Sequence, residues 1–367
     1  MSEIKEQTNQ MEFEKLKEIV SQHFQIEEAL MEHNIPTFYL KQPQETKQAF
    51  LKLLKSLELL NLVAYLRRFD GKIVLRIFPK PPSKPSNILV NWLLLFATIG
   101  TTFVSGYLLS EGFSDPLIGG ATFTVAIMAV LGMHEMGHKL TADREGIEAT
   151  PPYFIPGPPP WGTFGAVIMQ KSLPPNKDSL FDIGASGPIF GFLVAIVATV
   201  VGLPYSSYDW VKENTPTLPV PIFFRLVARF FLPPPPANGY KPGYMLVVML
   251  HPVALAGWIG FFVTMLNLLP AAMLDGGHIA RSFFSERVRS VLTVLSIIFL
   301  AVISWPMALF VLFLSMFRHP GPLDDVSGLS RSRKILFVVL VVVFVLSSSL
   351  YDVFYSMINF LKRLAGV

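Results

Sequence analysis

The chain contains no cysteine, which excludes disulfides and any metal site built on thiolates. It is also poor in charge: 15% of its residues are charged, against roughly 25% in a soluble globular protein. It has no basic cluster interleaved with aromatic residues, so the sequence predicts no nucleic-acid partner. Apolar residues, at 51% of the 367, are instead abundant.

Several apolar runs approach or exceed the roughly 20 residues that span a bilayer as a helix. They predict a polytopic α-helical membrane protein that lies in a lipid bilayer. The expected spans are approximately 88–109, 116–140, 180–203 and 243–266, followed by a long apolar run at 287–317 and a last one at 334–350.

The run at 287–317 is either one tilted helix or two short helices broken near Trp305-Pro306. Basic residues discriminate between the two, because Lys and Arg concentrate on the cytosolic side. The basic residues that flank the spans share one side only if this run crosses twice: Lys80, Lys84, Lys139, Arg144, Lys171, Lys177, Arg281, Arg287, Arg289, Arg318, Arg331, Arg333 and Lys334. The fold prediction is therefore about six to seven transmembrane helices, with seven favoured. We expect a multi-pass protein of the cell membrane whose N-terminal domain and active site face the cytosol.

Residues 1–86 are predicted to form a small soluble cytosolic α+β domain. Two stretches have helical periodicity, MEFEKLKEIVSQHF and ETKQAFLKLLKSLELL. LVAYLRRF and KIVLRIF alternate around Asp70-Gly71, which predicts a β-hairpin. The domain ends in a Pro-rich linker (79–86), and residues 87–367 form the membrane domain. The N-terminus has no basic flank and apolar core, so no cleaved signal peptide is expected.

Two segments do not fit plain membrane spans. The first, 151–170, is rich in Pro and Gly and then alternates like a strand. Irregular backbone at membrane depth is tolerated only where it is buried in protein or lines a cavity. The second, 220–236, sets Arg225 and Arg229 one helical turn apart, which predicts a short helix at the membrane interface.

The apolar run around HEMGH contains the residues with the clearest chemical role. His134 and His138 are four positions apart, so on a helix both imidazoles project from one face and can reach one cation. Glu135 lies beside them, giving the arrangement in which two histidines bind zinc and the glutamate is the general base. Ionisable groups within a span each cost roughly 2.5–3.5 kcal/mol to insert, which favours a functional role over a helix cap.

A hydrolytic zinc site usually has three protein ligands and a water, so a third ligand is missing. The best candidate is Asp275, which follows the helix-interrupting Pro270 and precedes the flexible pair Gly276-Gly277. His278 is an alternative ligand. Asn267, from its position alone, is either a helix-packing hydrogen bonder or a residue of the site.

Both motifs, HEMGH (134–138) and NLLPAAMLDGGH (267–278), resemble the hallmark motifs of the site-2 protease family of intramembrane zinc metalloproteases. GTFGAVI (162–168) is similar to the re-entrant β-loop of that family, and GASGP (184–188) to its small-residue stretch. HPGPLDDVSGLSRSRK (319–334) resembles the tail after the sixth helix of prokaryotic and chloroplast-type members. The resemblance covers about 88–334 and leaves the first 80 residues unexplained.

The resemblance implies one Zn²⁺ per chain, held by His134, His138 and Asp275, with Glu135 as general base and Asn267 close to the metal. The substrate would be a membrane protein whose transmembrane helix unwinds near the zinc. A strand edge within 162–168 is expected to receive it by strand pairing, and its proposed substrate-binding residues are Gly162, Thr163, Phe164, Gly165 and Ala166.

Three alternatives remain: an ion transporter, a protein that binds zinc without catalysis, and an unrelated peptidase that is merely anchored in a membrane. Glu135 argues against the first two, because neither a carrier nor a structural zinc site needs a base that is not a ligand. The position of both motifs within spans argues against the third.

Overall fold

The computed structural model describes residues 2–82, 85–111, 115–236, 241–317 and 319–349. Its N-terminal part alternates helices and hairpins. The elements are α1 (Ser2–Ser21), β1 (Ile26–Glu32), β2 (Ile35–Leu40), α2 (Lys47–Glu58), β3 (Leu62–Phe69) and β4 (Lys72–Pro79).

The four strands form one antiparallel sheet in the order β1-β2-β4-β3, so β3 lies at an edge. The predicted β3–β4 hairpin is present, and its turn residues Asp70 and Gly71 have the positive φ angles that such turns require. Phe50, Leu53 and Leu57 bury one face of α2 in the core beneath the sheet. The domain boundary at residue 86 stays a prediction, and Ser83 and Lys84 of the linker lie outside the described residues.

The rest of the chain is mostly helical. Its elements are α3 (Ile88–Leu109), α4 (Pro116–Arg144), β5 (Tyr153–Pro156), β6 (Thr163–Val167), α5 (Lys177–Gly202), β7 (Ser207–Lys212), α6 (Ile222–Phe231), β8 (Tyr244–Met249), α7 (Pro252–Leu268), α8 (Asp275–Phe283), α9 (Glu286–Ile303), α10 (Trp305–Ser315) and α11 (Arg331–Ser347). Among the described residues, three helices are long and apolar enough to cross a membrane, those that begin at Ile88, Pro116 and Lys177; α7 and α10 are shorter apolar helices. The chain is a membrane protein, and the count of six to seven crossings stays a prediction.

The fourth predicted span, 243–266, is wrong at its N-terminal end. Its first residues form β8, which pairs with β7, and the helix begins only at Pro252. Val247 and Val248 are β-branched residues that suit a strand, while Pro252 at the first helical position suits a helix start. Strand β8 and helix α7 are both apolar and follow one another directly, so together they resemble a single membrane span in the sequence.

The run at 287–317 consists of two helices, α9 and α10, that meet at Ser304. Arg318, which follows them, lies outside the described residues, as does Lys84.

Helix α5 lies at the centre of the membrane domain. It packs against α4, α7 and α8, and Phe181, Ala185 and Ala195 are buried in the shared core. Its neighbours carry the two motifs singled out above, α4 with HEMGH and the α7–α8 pair with NLLPAAMLDGGH. The packing of three helices around α5 thus brings together residues far apart in sequence.

Candidate metal centre

Helix α4 contributes two imidazoles to one buried position. His134 and His138 are 4% and 5% exposed, and their Nε2 atoms are 3.2 Å apart. Nδ1 of His138 lies 2.8 Å from the carbonyl oxygen of Ile183. A carbonyl can only accept, so Nδ1 carries the ring hydrogen and donates it, which leaves the lone pair of Nε2 for a cation.

Asp275, the first residue of α8, completes a three-donor group. Its Oδ2 is 3.2 Å from Nε2 of His134 and its Oδ1 is 3.3 Å from Nε2 of His138. The three ligand atoms all lie within 4.8 Å of one another. Oδ2 is buried without a hydrogen-bond partner and lies beside an imidazole nitrogen of His134. A cation would satisfy such an oxygen. Two nitrogens and one carboxylate oxygen fit the open coordination of hydrolytic zinc.

Three glycines of α5 make room for these ligands. A Cβ at Gly187 would overlap Nε2 of His138, and a Cβ at Gly191 would lie 3.0 Å from Nδ1 of His134. A Cβ at Gly184 would come within 2.7 Å of the carbonyl oxygen of Asp275. The three positions lie on one face of α5, since i, i+3 and i+7 align along a helix. The sequence analysis gave this face of α5 no role at the site. The spacing of its three glycines along one helix face is the pattern that could have indicated a close contact there.

Glu135 and Asn267 lie beside the three donors. Glu135 is 7% exposed and does not belong to the three-donor group. The backbone of Ile168, directly after β6, lies near its carboxylate and interacts with it. Asn267 lies near the end of α7, with Nδ2 3.1 Å from Nε2 of His134. The structure therefore brings both residues next to the candidate ligands. The carboxylate of Glu135 lies on the side of the β5–β6 hairpin.

The proposed substrate strand lies in this hairpin, where β6 pairs with β5. Thr163 pairs with Pro156 and Gly165 with Ile155, while Phe164 has no partner in β5 and is 70% exposed. Within the described part of the chain β5 is the only strand beside β6, so the other edge of β6 is unpaired.

Gly162, just before β6, contacts α3. A Cβ at Gly162 would lie 2.6 Å from the Cα atom of Thr102, and the Thr101 hydroxyl donates to the Gly162 carbonyl oxygen at 2.6 Å. The positive φ of Gly162, 73°, is a second reason for glycine. Ala166 pairs with Phe154 in the hairpin.

The two remaining histidines of interest lie outside the three-donor group. His278 contacts His319, with 2.7 Å between Nδ1 and Nε2. His251 is the N-cap of α7, where its ring accepts a hydrogen bond from the backbone of Val253. His251 therefore lies at the opposite end of α7 from Asn267, where it caps the helix.

Fold and site together define a membrane-embedded metallohydrolase: apolar helices enclose two histidines, an aspartate and a glutamate beside them. The model of peptidase family M50 matches residues 122–311, more than half of the chain, and this range includes both motifs. The chain belongs to peptidase family M50, the metalloprotease family of the site-2 proteases, which confirms the resemblance.

Individual relatives of the chain are also described as zinc metalloproteases. The chain is 31% identical over 232 residues to the probable zinc metalloprotease EGY1, chloroplastic, of Oryza sativa subsp. japonica, which covers 60% of this chain and 39% of that protein. The Arabidopsis thaliana EGY1 is 29% identical over 232 residues, covering 60% and 41%. The probable zinc metalloprotease EGY2, chloroplastic, of Oryza sativa subsp. indica is 29% identical over 246 residues, covering 65% and 42%.

The chain thus spans about two fifths of the length of these curated relatives. No solved structure matches it.

Proposed function

We propose that the chain is an intramembrane zinc endopeptidase that hydrolyses peptide bonds within or near transmembrane segments of membrane-anchored proteins. The observation that carries the proposal is the three-donor group of His134, His138 and Asp275 with Glu135 beside it and not among the ligands. A carrier or a structural zinc site has no use for such a carboxylate, whereas hydrolysis needs a base.

One zinc ion per chain is held by His134, His138 and Asp275 in this proposal. Bound there, it supplies a Lewis acid and lowers the pKa of water. Glu135 accepts one proton from the attacking water and delivers it to the nitrogen of the leaving amine, so that peptide and water become a carboxylic acid and an amine. The amide of Asn267 donates a hydrogen bond to the carbonyl oxygen that gains negative charge during attack.

The substrate must unwind before it can react, because a helix keeps its peptide groups in its own hydrogen bonds. The unpaired edge of β6 offers backbone groups that an unwound segment can pair with, as in other cases of strand addition. Thr163, Phe164, Gly165 and Ala166 form this edge in the proposal, and Gly162 turns the chain into it. The contact between Ile168 and Glu135 supports it, because it joins the end of that strand to the base.

The membrane arrangement is part of the proposal. The helices α3, α4, α5, α7, α9, α10 and α11 make seven crossings, of which α10, with 11 residues, is the shortest. The N-terminal domain and the site then lie on the cytosolic side of a cell membrane, in accordance with the basic residues that flank the spans.

Zinc content and cleavage, measured on one preparation, test the function. Purified chain in detergent should hold about one zinc per molecule and should cleave a model protein with a transmembrane helix. Removal of the metal with a chelator should stop cleavage, and added zinc should restore it. Full zinc without cleavage would instead indicate a binding protein, and zinc flux across liposomes would indicate a transporter.

A further inference from the structure

A segment distant from the metal centre in sequence connects it to the N-terminal domain. We call residues 319–330, between α10 and α11, the strap. Leu66 of edge strand β3 donates its N–H to the carbonyl of Leu323 at 2.9 Å and accepts from the N–H of Asp325 at 3.1 Å. The strap thereby adds itself to the N-terminal sheet.

The opposite edge of the strap pairs with the membrane domain. The backbone N–H groups of Leu323 and Asp324 donate to the carbonyls of Pro174 and Pro175 at 2.8 and 2.9 Å. Those prolines are followed by Asn176, the N-cap of α5. Asp324 therefore forms an isolated β-bridge with Leu66 on one side and with Asn176 on the other, which joins the N-terminal sheet to the segment that leads into the central helix.

Side chains fasten the strap to the N-terminal domain. Nη1 of Arg67 donates to the carbonyl of Leu323 at 2.6 Å, and the Leu323 side chain is buried in the core of the N-terminal sheet. The hydroxyls of Thr46 and Ser327 are 2.8 Å apart. Separating the domain from the strap would expose Leu323 and leave these polar groups without partners.

The strap also holds α8, the helix that begins with Asp275. Arg281 of α8 donates two hydrogen bonds to the carboxylate of Asp325, at 2.9 and 2.6 Å. Such bidentate pairs fix orientation as well as distance. Gly321 lies close above Arg281, where a Cβ would come within 2.5 Å of Nη2.

The charges along this contact are stable near neutral pH. Burial raises the pKa of Asp325, but the hydrogen bonds from Arg281 outweigh it and hold the pKa below its usual value. Burial, helped by the neighbouring His278 and by Arg289, lowers the pKa of His319 to about 3. Asp325 is therefore ionised and His319 is neutral, so neither group changes its charge near neutral pH.

A short helix held at its far end controls the position of its first residue. Nine residues at about 1.5 Å each make α8 roughly 13 Å long. Arg281 lies six residues, or about 9 Å, from Asp275, so a tilt of about 5° there would displace Asp275 by about 0.8 Å. Metal–ligand distances are fixed to within about 0.2 Å. The packing of Asp275 against Gly184 holds the other end.

We propose that the strap is a positioning element for Asp275 and that the N-terminal domain holds it in place, which makes that domain part of the scaffold of the metal site. Asp325 and Arg67 are positioning residues in this view. The inference rests on the proposed function, since it assumes that Asp275 binds the metal.

Zinc release from the full-length chain in detergent tests the proposal. Asp325→Asn removes the charge that Arg281 pairs with and keeps the shape of the side chain. Arg67→Met removes the donor to Leu323. Because partners that orient a metal ligand are typically worth 10–100-fold in affinity, we expect about tenfold faster release of zinc to a chelator for Asp325→Asn. Arg67→Met should release zinc severalfold faster.

Matched controls separate positioning from general stability. Asp182 makes the same bidentate pair with Arg333 of α11 and not with a residue of α8, at 3.1 and 2.6 Å. Asp182→Asn should therefore change thermal stability and leave zinc release at the wild-type rate. Exposed Arg68 follows Arg67 on β3, and Arg68→Met should change neither. Arg281→Met should release zinc faster than the wild type, and Arg281→Lys, which keeps the positive charge, should release it more slowly than Arg281→Met.

The outcomes distinguish this proposal from the function it rests on. A wild-type chain that binds no zinc overturns the proposed function. A wild-type chain that holds zinc, with Asp325→Asn and Arg67→Met releasing it no faster than their controls, overturns the positioning role alone. If Asp325→Asn does not fold, the comparison of Arg67→Met with Arg68→Met decides.

Discussion

Asp275 and Asp182 are both largely buried aspartates of the membrane domain, and they differ in what their carboxylate oxygens contact. Both oxygens of Asp182 accept hydrogen bonds from the guanidinium of Arg333. Oδ2 of Asp275 has no hydrogen-bond partner, and the two oxygens of this carboxylate each lie beside one imidazole nitrogen. A satisfied carboxylate joins two helices, whereas an unsatisfied one among other ligands indicates that a cation belongs there.

An unsatisfied oxygen alone is not enough for this inference. Oδ2 of Asp324, in the strap, is also buried without a partner. Among the described residues, however, only His134, His138 and Asp275 bring three ligand atoms together. The combination of an unsatisfied oxygen with a complete donor set distinguishes the metal centre from other buried polar groups.

The largest expected effect comes from Glu135, which lies beside the candidate ligands and is neither of the two aspartates compared above. Glu135→Gln should retain zinc and the fold and should lower cleavage of a transmembrane substrate by about 100-fold or more, since a general base typically contributes 10²–10⁴. Elemental analysis and a cleavage assay on the same sample measure both. A loss below about tenfold would contradict the role of Glu135 as the base.

The comparison itself is tested by the same substitution at both aspartates. Asp275→Asn should weaken zinc binding by more than about tenfold, because even the outer partners of zinc ligands are worth that much. Asp182→Asn should cost about 1 kcal/mol of unfolding free energy and retain the metal. Zinc titration and thermal unfolding measure the two effects. If Asp275→Asn kept both zinc and activity, His278 would become the leading third ligand.

The glycine face of α5 gives a smaller effect. Alanine favours a helix over glycine by about 1 kcal/mol, so Gly187→Ala would stabilise α5 if nothing opposed the side chain. Because the new Cβ would overlap Nε2 of His138, we expect zinc affinity to fall by about tenfold.

Gly100→Ala in α3 is the control for Gly187→Ala, since a Cβ at Gly100 meets nothing within 4 Å. It should leave zinc affinity unchanged. Equal zinc affinity in the two variants would mean that His138 does not bind the metal from its present position.

The candidate metal centre was largely predictable in its residues, because their signals are local. His134 and His138 are one helical turn apart, and Asp275 is marked by its two glycines and by the family motif. Its assembly was not, because α4, α5 and α8 meet through close contacts at Gly184, Gly187 and Gly191 that no single helix reveals.

The N-terminal sheet shows where sequence patterns end. The hairpin at Asp70-Gly71 was predicted, but the β1–β2 hairpin turns at His33 and Asn34, which adopt positive φ without a glycine to mark them. The strap is harder still, since Leu66 and Leu323 hydrogen-bond although more than half of the chain separates them. The residues of the strap show neither helical nor strand periodicity, so no local pattern in the sequence predicts what the strap pairs with.

The smallest expected effect concerns the unpaired edge of β6. Phe164 has no partner in β5, so Phe164→Pro removes a backbone donor without breaking a pair of the hairpin. A backbone hydrogen bond is worth about 0.5–1.5 kcal/mol, which predicts a loss of about three- to tenfold in cleavage of a transmembrane substrate. A short extended peptide that needs no unwinding should lose less. Phe164→Ala is the control, because it removes the same exposed ring and keeps the N–H; zinc content and thermal stability of both variants should match the wild type. If proline and alanine at this position gave equal turnover of the transmembrane substrate, the β5–β6 hairpin would be a connection between α4 and α5 and not the place where the substrate pairs.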